Sequence, residues 1–395
     1  MLSSYFADLH IHVGRDMYGG PVKIAASKHL TITNVLKEAS RRKGLDLVGV
    51  IDCHAPNVQE EIVQLIHQGK AKELPEGGIQ FEHVTLLLGS EIEIYDEHCQ
   101  GPLHVLCYFK SLNNMKDFTN WLRDKMKNIS LSSQRYYGTA SALQHKVKEL
   151  EGLFIPAHIF TPFKSSYGKG VKTSMSEVFD MDLIDAVELG LSADNKMADN
   201  IRELHSYPYV TNSDSHSLAK IAREYQKITL ASPSFTELKK ALRNEHGRRI
   251  EENYGMSPKL GKYYTTVCQK CLKAVSYETK ICPHCHSKKI VTGVYDRIQA
   301  LKDATAAPNN RPEYFCQVPL EYLPGIGKKT FDKLIASLGT EMAILHYSSK
   351  EALEEVLPAK LVDIILAMRN GDIQVQAGGG GNYGRLLISD ESIDI

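Results

Sequence analysis

The sequence predicts an α/β fold over its first 245 residues, followed by a small cysteine-bearing module and an all-helical C-terminal region. Three observations carry this reading. Short apolar runs alternate with helical patterns up to about 245, the rhythm of strand-helix units wound around a sheet. Two CxxC pairs then lie close together, and beyond 312 Leu, Ile and Ala recur at helical spacing. The chain has 395 residues, 43% hydrophobic and 24% charged, which is enough to bury a large core. Lys and Arg number 47, as do Asp and Glu, so any polyanionic partner must be met by a local patch.

Taken in order, LDLVGVID (45–52), VTLLLG (84–89), LHVLCYF (103–109), LFIPAH (153–158), IDAVEL (184–189) and YPYVTNSD (207–214) read as strands. Most are continuous apolar runs, as expected of parallel strands covered on both faces in barrels and doubly wound sheets. Ile32, Val35, Leu36 and Ala39 fall at i, i+3, i+4 and i+7, an amphipathic helix that Gly44 can end in the left-handed conformation. The polar stretch after 245 reads as a linker to the cysteine module at 260–292. A helical domain over 312–372 and a Gly-rich, then acidic, flexible tail over 373–395 complete the expected organisation. No apolar run reaches the roughly 18 residues of a membrane span. The opening MLSSYFADLHIHV turns polar too early for a signal peptide, and four of eight cysteines are scattered singly. Both features favour the cytoplasm.

The densest signal is a set of His, Asp and Glu residues at the ends of these strands. In ADLHIHV the alternate residues Asp8, His10 and His12 share one face of an extended segment. Asp52 and His54 follow the next strand, then come Glu91, His104 and His158, and finally Asp214 and His216. One histidine on an apolar run is usually a core residue. Six strands contributing such groups toward one end is what an active site at the mouth of a barrel requires. Mixed imidazole and carboxylate ligands suit zinc, manganese or iron, and several ions close together suit phosphoryl transfer.

These motifs, DLHIH, IDCH, the Glu91 of GSE, His104, His158 and SDSH, resemble the PHP (polymerase and histidinol phosphatase) family of metal-dependent phosphoesterases over 1–245. The resemblance implies a distorted (β/α) barrel with two to three divalent ions (Zn2+, Mn2+, Fe2+ or Mg2+) held by His10, His12, Glu91, His104, His158, Asp214 and His216, with Glu91 as the bridge. The family places Asp and His side by side in its second motif, whereas Cys53 separates them here, so either Asp52 or His54 is the ligand. Asp16 is the candidate loop ligand, and Asp8 can instead orient a ligating imidazole.

Cys268 and Cys271, then Cys282 and Cys285, form two knuckles ten residues apart, the pattern of a closed structural zinc site. Residues 259–289 carry seven lysines, Lys270, Lys288 and Lys289 among them, against one acid, Glu278. This local charge of +6 suits phosphate contact. In LEYLPGIGKKTFDKLIASLG (320–339) an apolar helix, a turn at Gly325 and Gly327, Lys328 and Lys329, and a second helix resemble the helix-hairpin-helix motif, which holds DNA by its backbone.

The order of PHP-like domain, four-cysteine module and hairpin is similar to the endonuclease Q family along essentially the whole chain. That resemblance implies a DNA repair endonuclease that cuts the phosphodiester 5′ to deaminated bases (uracil, hypoxanthine, xanthine) and abasic sites. The implied mechanism is attack by hydroxide in a multi-metal site, with His10, His12, Glu91 and Asp214 as catalytic groups. Damaged DNA, double- or single-stranded, is the expected partner of a monomer. The loop FTPFKSSYGKG (160–170), through Lys164, Ser165, Ser166 and Tyr167, is the candidate base pocket. A PHP-class phosphatase of small molecules and an inactive DNA-binding scaffold are the alternatives. The first has no need of the modules after 260, and the second does not account for ligand-type residues at every strand end.

Overall fold

Strand Ser3–Ile11 lies at the centre of the fold, and its apolar and polar residues are both buried from Phe6 onward. The computed structural model describes the chain apart from residues 262, 324, 373, 377–384, 389–390 and 395, with backbone alone at 374, 385–388 and 391–394. Strand Ser3–Ile11 runs parallel to Leu47–Val50, which runs parallel to Val84–Ile94. From there the directions alternate: Leu103–Phe109 is antiparallel to Val84–Ile94, and Leu153–Pro156 is antiparallel to Leu103–Phe109. The short parallel pair Val187–Glu188 and Tyr209–Val210 continues the circuit through Asp185 N to Phe154 O at 3.0 Å and Ile159 N to Glu188 O at 2.9 Å. The bonds His12 N to Ser215 O and Ser215 N to His10 O, both 3.1 Å, close it on the first strand.

The result is an α/β fold, a distorted barrel whose strands are mixed rather than all parallel. The mixture explains one position that a parallel barrel leaves awkward. His104 is the second residue of its strand and still reaches the same mouth as the others, because that strand enters where its neighbours leave.

The helical pattern at 32–39 forms as expected. Helix Ile32–Glu38 is capped by Thr31, whose side chain accepts from Asn34 N, an interaction of about 1 kcal/mol, and continues as a wider turn over Ala39–Lys43. Gly44 ends it at φ +79°.

The presumed linker is instead sheet. Arg249–Gly255 pairs antiparallel with Tyr225–Leu230, which itself pairs antiparallel with the first strand, and Glu313–Cys316 adds a parallel edge. Buried Ile250, Asn253 and Tyr254 explain why this polar stretch is strand. The cysteine module hangs between these two strands on a small ladder, Val267–Cys268 against Ile290–Val291, followed by helix Val294–Leu301.

Helices Lys328–Leu338, Glu341–His346, Lys350–Glu354 and Ala359–Asn370 form the C-terminal region. They dock on the barrel through a ring stack of Phe6 on His346 at 4.6 Å and an ion pair, Arg42 to Asp332, at 2.6 Å. The expected flexible tail, 373–395, carries three antiparallel strands at Gln374–Gln376, Arg385–Ile388 and Glu391–Asp394; the rest of it lies outside the described residues. No helix among the described residues is long and apolar enough to cross a membrane.

Candidate active site

At the barrel mouth two groups of side chains converge, His10 with His12 and Asp214, and Glu91 with His104 and His158. Within each group the ligand-type atoms lie within 4.8 Å of one another. His10 Nε2 and His12 Nε2 each stand 3.4 Å from Asp214 Oδ1. Glu91 sits between the groups. Its Oε1 is 2.8 Å from His104 Nδ1, 3.4 Å from His158 Nε2 and 3.6 Å from His10 Nε2, while its Oε2 is 3.6 Å from His12 Nε2.

His158 Nε2 and Glu91 Oε1 are within hydrogen-bond reach of each other, while most of the other atoms converge without pairing. His10 Nε2, His12 Nε2 and both nitrogens of His104 are buried with no hydrogen-bond partner. Buried polar atoms are rarely left so, and four such nitrogens facing carboxylates are the donor set a divalent cation satisfies. The residues present therefore fit metal binding in both groups.

The surrounding bonds fix which nitrogen faces the centre. His10 Nδ1 is 2.9 Å from Glu188 Oε1, and His12 Nδ1 is 3.1 Å from Asp52 Oδ2, so each imidazole donates outward and presents Nε2 inward. Glu188 is itself held by Asn212 Nδ2 at 2.7 Å and by His158 N at 2.8 Å. Burial disfavours a charged His10, but Glu188, Asp214 and Glu91 outweigh it and push the imidazole up to about 10. Burial likewise works to raise Glu91, yet His104 and Lys23 hold its carboxyl well below the usual range. The site is thus built for compensating positive charge, and a metal ion displaces the protons.

Two of the converging residues sit on left-handed backbone, His158 at φ +31° and Asp214 at φ +46°. Such geometry costs about 1–3 kcal/mol per residue and is retained where a side chain must be aimed.

Several expected ligands lie outside the two groups and make contacts of their own. His54 is fully committed: its Nδ1 accepts from Ser90 Oγ at 2.8 Å and its Nε2 donates to Leu131 O at 3.2 Å. Asp52 turns Oδ2 to His12 and to Val13 N, 2.7 Å away, and leaves Oδ1 buried without a partner. Asp16 closes its own turn, accepting from Tyr18 N, Gly20 N and Asn57 Nδ2. Asp8 orients no imidazole; its carboxylate takes the amides of His10, Ser213 and Ala222. His216 lies beside Asp214, with Nδ1 3.6 Å from Oδ1, but bonds the Asp214 carbonyl.

The loop after His158 also departs from expectation. Tyr167 is fully buried, stacked on Phe160 at 5.2 Å, and its hydroxyl donates to Glu203 at 2.6 Å. Ser165 and Ser166 are buried too, and Lys164 pairs with Glu93 at 2.7 Å. The aromatic ring this loop exposes is Phe163, packed edge-on against Tyr263 at 5.7 Å. Pattern alone does not single out Glu188, Lys23, Ser132 or Ser133. Glu188 ends the strand IDAVEL and obeys the same strand-end rule as its neighbours, whereas the other three lie in irregular loops.

No family model matches the chain. It is 51% identical over 386 residues, 98% of this chain and all of the relative, to an uncharacterised protein, YqxK, of Bacillus subtilis. An uncharacterised protein of Methanocaldococcus jannaschii, MJ0043, is 32% identical over 293 residues, 68% of this chain and 34% of that one. The lesion-specific endonuclease PfuEndoQ of Pyrococcus furiosus superposes with a TM-score of 0.84 at 30% identity, covering 98% of this chain and 96% of that one. The chain belongs to the endonuclease Q family. A second solved structure, endonuclease Q with a 27-mer duplex carrying an abasic lesion at its active site, matches equally well over 98% of this chain and 97% of that one.

In this endonuclease Q family member the cysteine module is assembled as the spacing requires. The four sulfurs lie within 4.8 Å of one another, with Cys268 to Cys285 at 3.5 Å and Cys271 to Cys282 at 3.6 Å. Sulfurs about 2.3 Å from a tetrahedral zinc would stand about 3.8 Å apart. The amides of Cys271 and Lys270 pull the Cys268 thiol down toward thiolate. Lys270, Lys288 and Lys289 are exposed around it.

At the hairpin, Gly325 takes φ +89° and Gly327 caps helix Lys328–Leu338 with Lys328 and Lys329 exposed in its first turn. The element before the turn is a single tight turn, Leu320–Tyr322, rather than a full helix.

Proposed function

We propose that this protein is a metal-dependent DNA repair endonuclease that cuts the phosphodiester 5′ to deaminated bases (uracil, hypoxanthine, xanthine) and to abasic sites. The observation that carries the reading is the convergence of His10, His12 and Asp214 with Glu91, His104 and His158, the inward nitrogens of His10, His12 and His104 left without hydrogen-bond partners, in a chain of the endonuclease Q family.

His10, His12 and Asp214 would hold one divalent ion and Glu91, His104 and His158 another, with Glu91 between them. Ions bound there supply an activated water and neutralise charge on the phosphoryl oxygens. The chain does the rest. Glu188 and Asp52 keep the two imidazoles in the tautomer that presents Nε2. Asp214, a third exposed where His10 and His12 are buried, stands at the open side of the group, and those two imidazoles hold its carboxyl ionised against the effect of burial. His216, beside it and equally open, lines the same entrance.

Binding is spread over the modules after 260. A zinc ion on Cys268, Cys271, Cys282 and Cys285 would fix the lysine-bearing knuckles. The start of helix Lys328–Leu338, which no side chain caps, with Lys328 and Lys329, suits a phosphate of duplex or single-stranded DNA. The protein acts as a monomer.

The test is cleavage of a duplex with one abasic site against an undamaged duplex, with manganese and with chelator. Lesion-dependent cutting that chelator abolishes supports the reading. Hydrolysis of a simple phosphate monoester with both duplexes left intact overturns it.

A further inference from the structure

Lys23 is the one ammonium inside the metal-binding cluster among the described residues. It stands on the loop that follows the first histidine motif, and that loop is pinned on both sides. Lys23 N donates to Val13 O at 2.9 Å, Val22 N to Gly14 O at 3.1 Å, and Ser27 N to His216 O at 2.8 Å. The Lys23 side chain is 18% exposed, and its Nζ lies 3.2 Å from Glu91 Oε2 and 2.5 Å from Ser133 Oγ. Ser133 in turn donates to the same Glu91 oxygen. Lys23 therefore occupies the free side of the Glu91 carboxylate, opposite the oxygen shared by His104 and His158.

The residues that a third ion would require are mostly spent. Both nitrogens of His54 and both oxygens of Asp16 are used in hydrogen bonds, and Asp52, with Oδ2 turned to His12, keeps only Oδ1 unpartnered, too few donors to hold a divalent ion. A fixed charge at 3.2 Å from Glu91 also opposes a further dication in the same low-dielectric space.

We propose that Lys23 is the third cation of this active site: the barrel binds two divalent ions, and the Lys23 ammonium contacts a non-bridging oxygen of the scissile phosphate beside them. The inference rests on the phosphodiesterase reading above and adds a residue and an ion count to it. The ammonium brings charge without needing ligands, and its partial exposure lets the three-donor head leave Ser133 for an incoming phosphate.

The experiment counts metal per full-length chain by elemental mass spectrometry and measures single-turnover cleavage of an abasic duplex, for wild type, Lys23→Met and Lys23→Arg. The expected result is three ions per wild-type chain, two in the barrel and one on the cysteines, with the same count in both variants. Lys23→Met should cut about 10²–10³-fold more slowly at unchanged duplex affinity, the usual cost of one stabilising donor, and Lys23→Arg should recover most of that loss. Three ions in the wild-type barrel overturn the proposal. So does a Lys23→Met chain that cuts within threefold of wild type, or one that loses its barrel ions, since Lys23 would then only build the site. If no lesion duplex is cut by wild type, the endonuclease reading fails, while the ion count still decides the number of metals.

Discussion

The Lys43 ammonium and the Glu341 carboxylate meet at 2.6 Å with side chains 3% and 1% exposed, joining the first helical segment of the barrel to the C-terminal helices. Glu341 also accepts from Leu320 N, next to the hairpin turn, and Lys43 donates to Ala219 O in the loop after His216. A Cβ on the neighbouring Gly44 would fall 2.1 Å from Thr340 Oγ1, so the two surfaces are closely fitted there. The hairpin is therefore held at a fixed place relative to the metal groups.

Breaking this pair should loosen the dock. Lys43→Met leaves a buried carboxylate uncompensated, a loss of about 3–5 kcal/mol, whereas Lys43→Met with Glu341→Leu should cost less than either single change. Urea unfolding of the three variants checks the order. A single change as mild as the double would contradict it.

Glu188→Gln should weaken divalent metal binding at the barrel about 10- to 100-fold while the cysteine site keeps its ion. The amide preserves shape but removes the charge that fixes His10. Titration of metal-stripped protein followed by cleavage rate reads this directly, and an unchanged metal midpoint would refute it.

Tyr167→Ala should act on stability rather than on lesion choice. The ring is buried against Phe160 and its hydroxyl bonds Glu203, so truncation costs about 3–5 kcal/mol. Uracil and abasic substrates should lose activity equally. A variant of normal stability that fails only on uracil would return Tyr167 to the base pocket.

His346 gives a pH signature. Burial among Phe6, Tyr225, Tyr254 and Tyr347, with Lys227 and Arg369 nearby, holds its imidazole down to about 3, and its Nε2 shares a hydrogen bond with the Tyr225 hydroxyl at 2.6 Å. The unfolded chain, with an ordinary histidine near 6.5, binds the proton more readily between these values. The contribution of this group is thus complete above about pH 6.5 and is lost as pH falls toward 3, at about 1.4 kcal/mol per unit. His346→Gln should flatten the decline of the urea midpoint between pH 6.5 and 4 relative to wild type. Parallel curves would contradict the assignment.

Much of the site was legible because metal chemistry leaves few choices: His10, His12, Glu91, His104, His158 and Asp214 all lie on or beside apolar strand runs, and all converge. Sequence pattern cannot say whether a carboxylate or imidazole spends its atoms locally. Asp16 and His54 look like ligands until the amides and hydroxyls around them are placed. Tyr167 looks exposed because its neighbours are Ser, Gly and Lys, yet the loop folds inward and buries it. Strand direction was likewise hidden, since a continuous apolar run is the same read either way. Arg249–Gly255 was illegible as strand because its charged residues occupy the half-open face.

The most direct measurement is cleavage of end-labelled duplexes carrying one uracil, hypoxanthine, xanthine or abasic site, mapped to single-nucleotide resolution beside an undamaged control, for wild type and Asp214→Asn. The account predicts a metal-dependent nick immediately 5′ of each lesion, none in the control, and none with Asp214→Asn, which still binds the duplex. Cutting at undamaged positions, or full-rate nicking by Asp214→Asn, would contradict it.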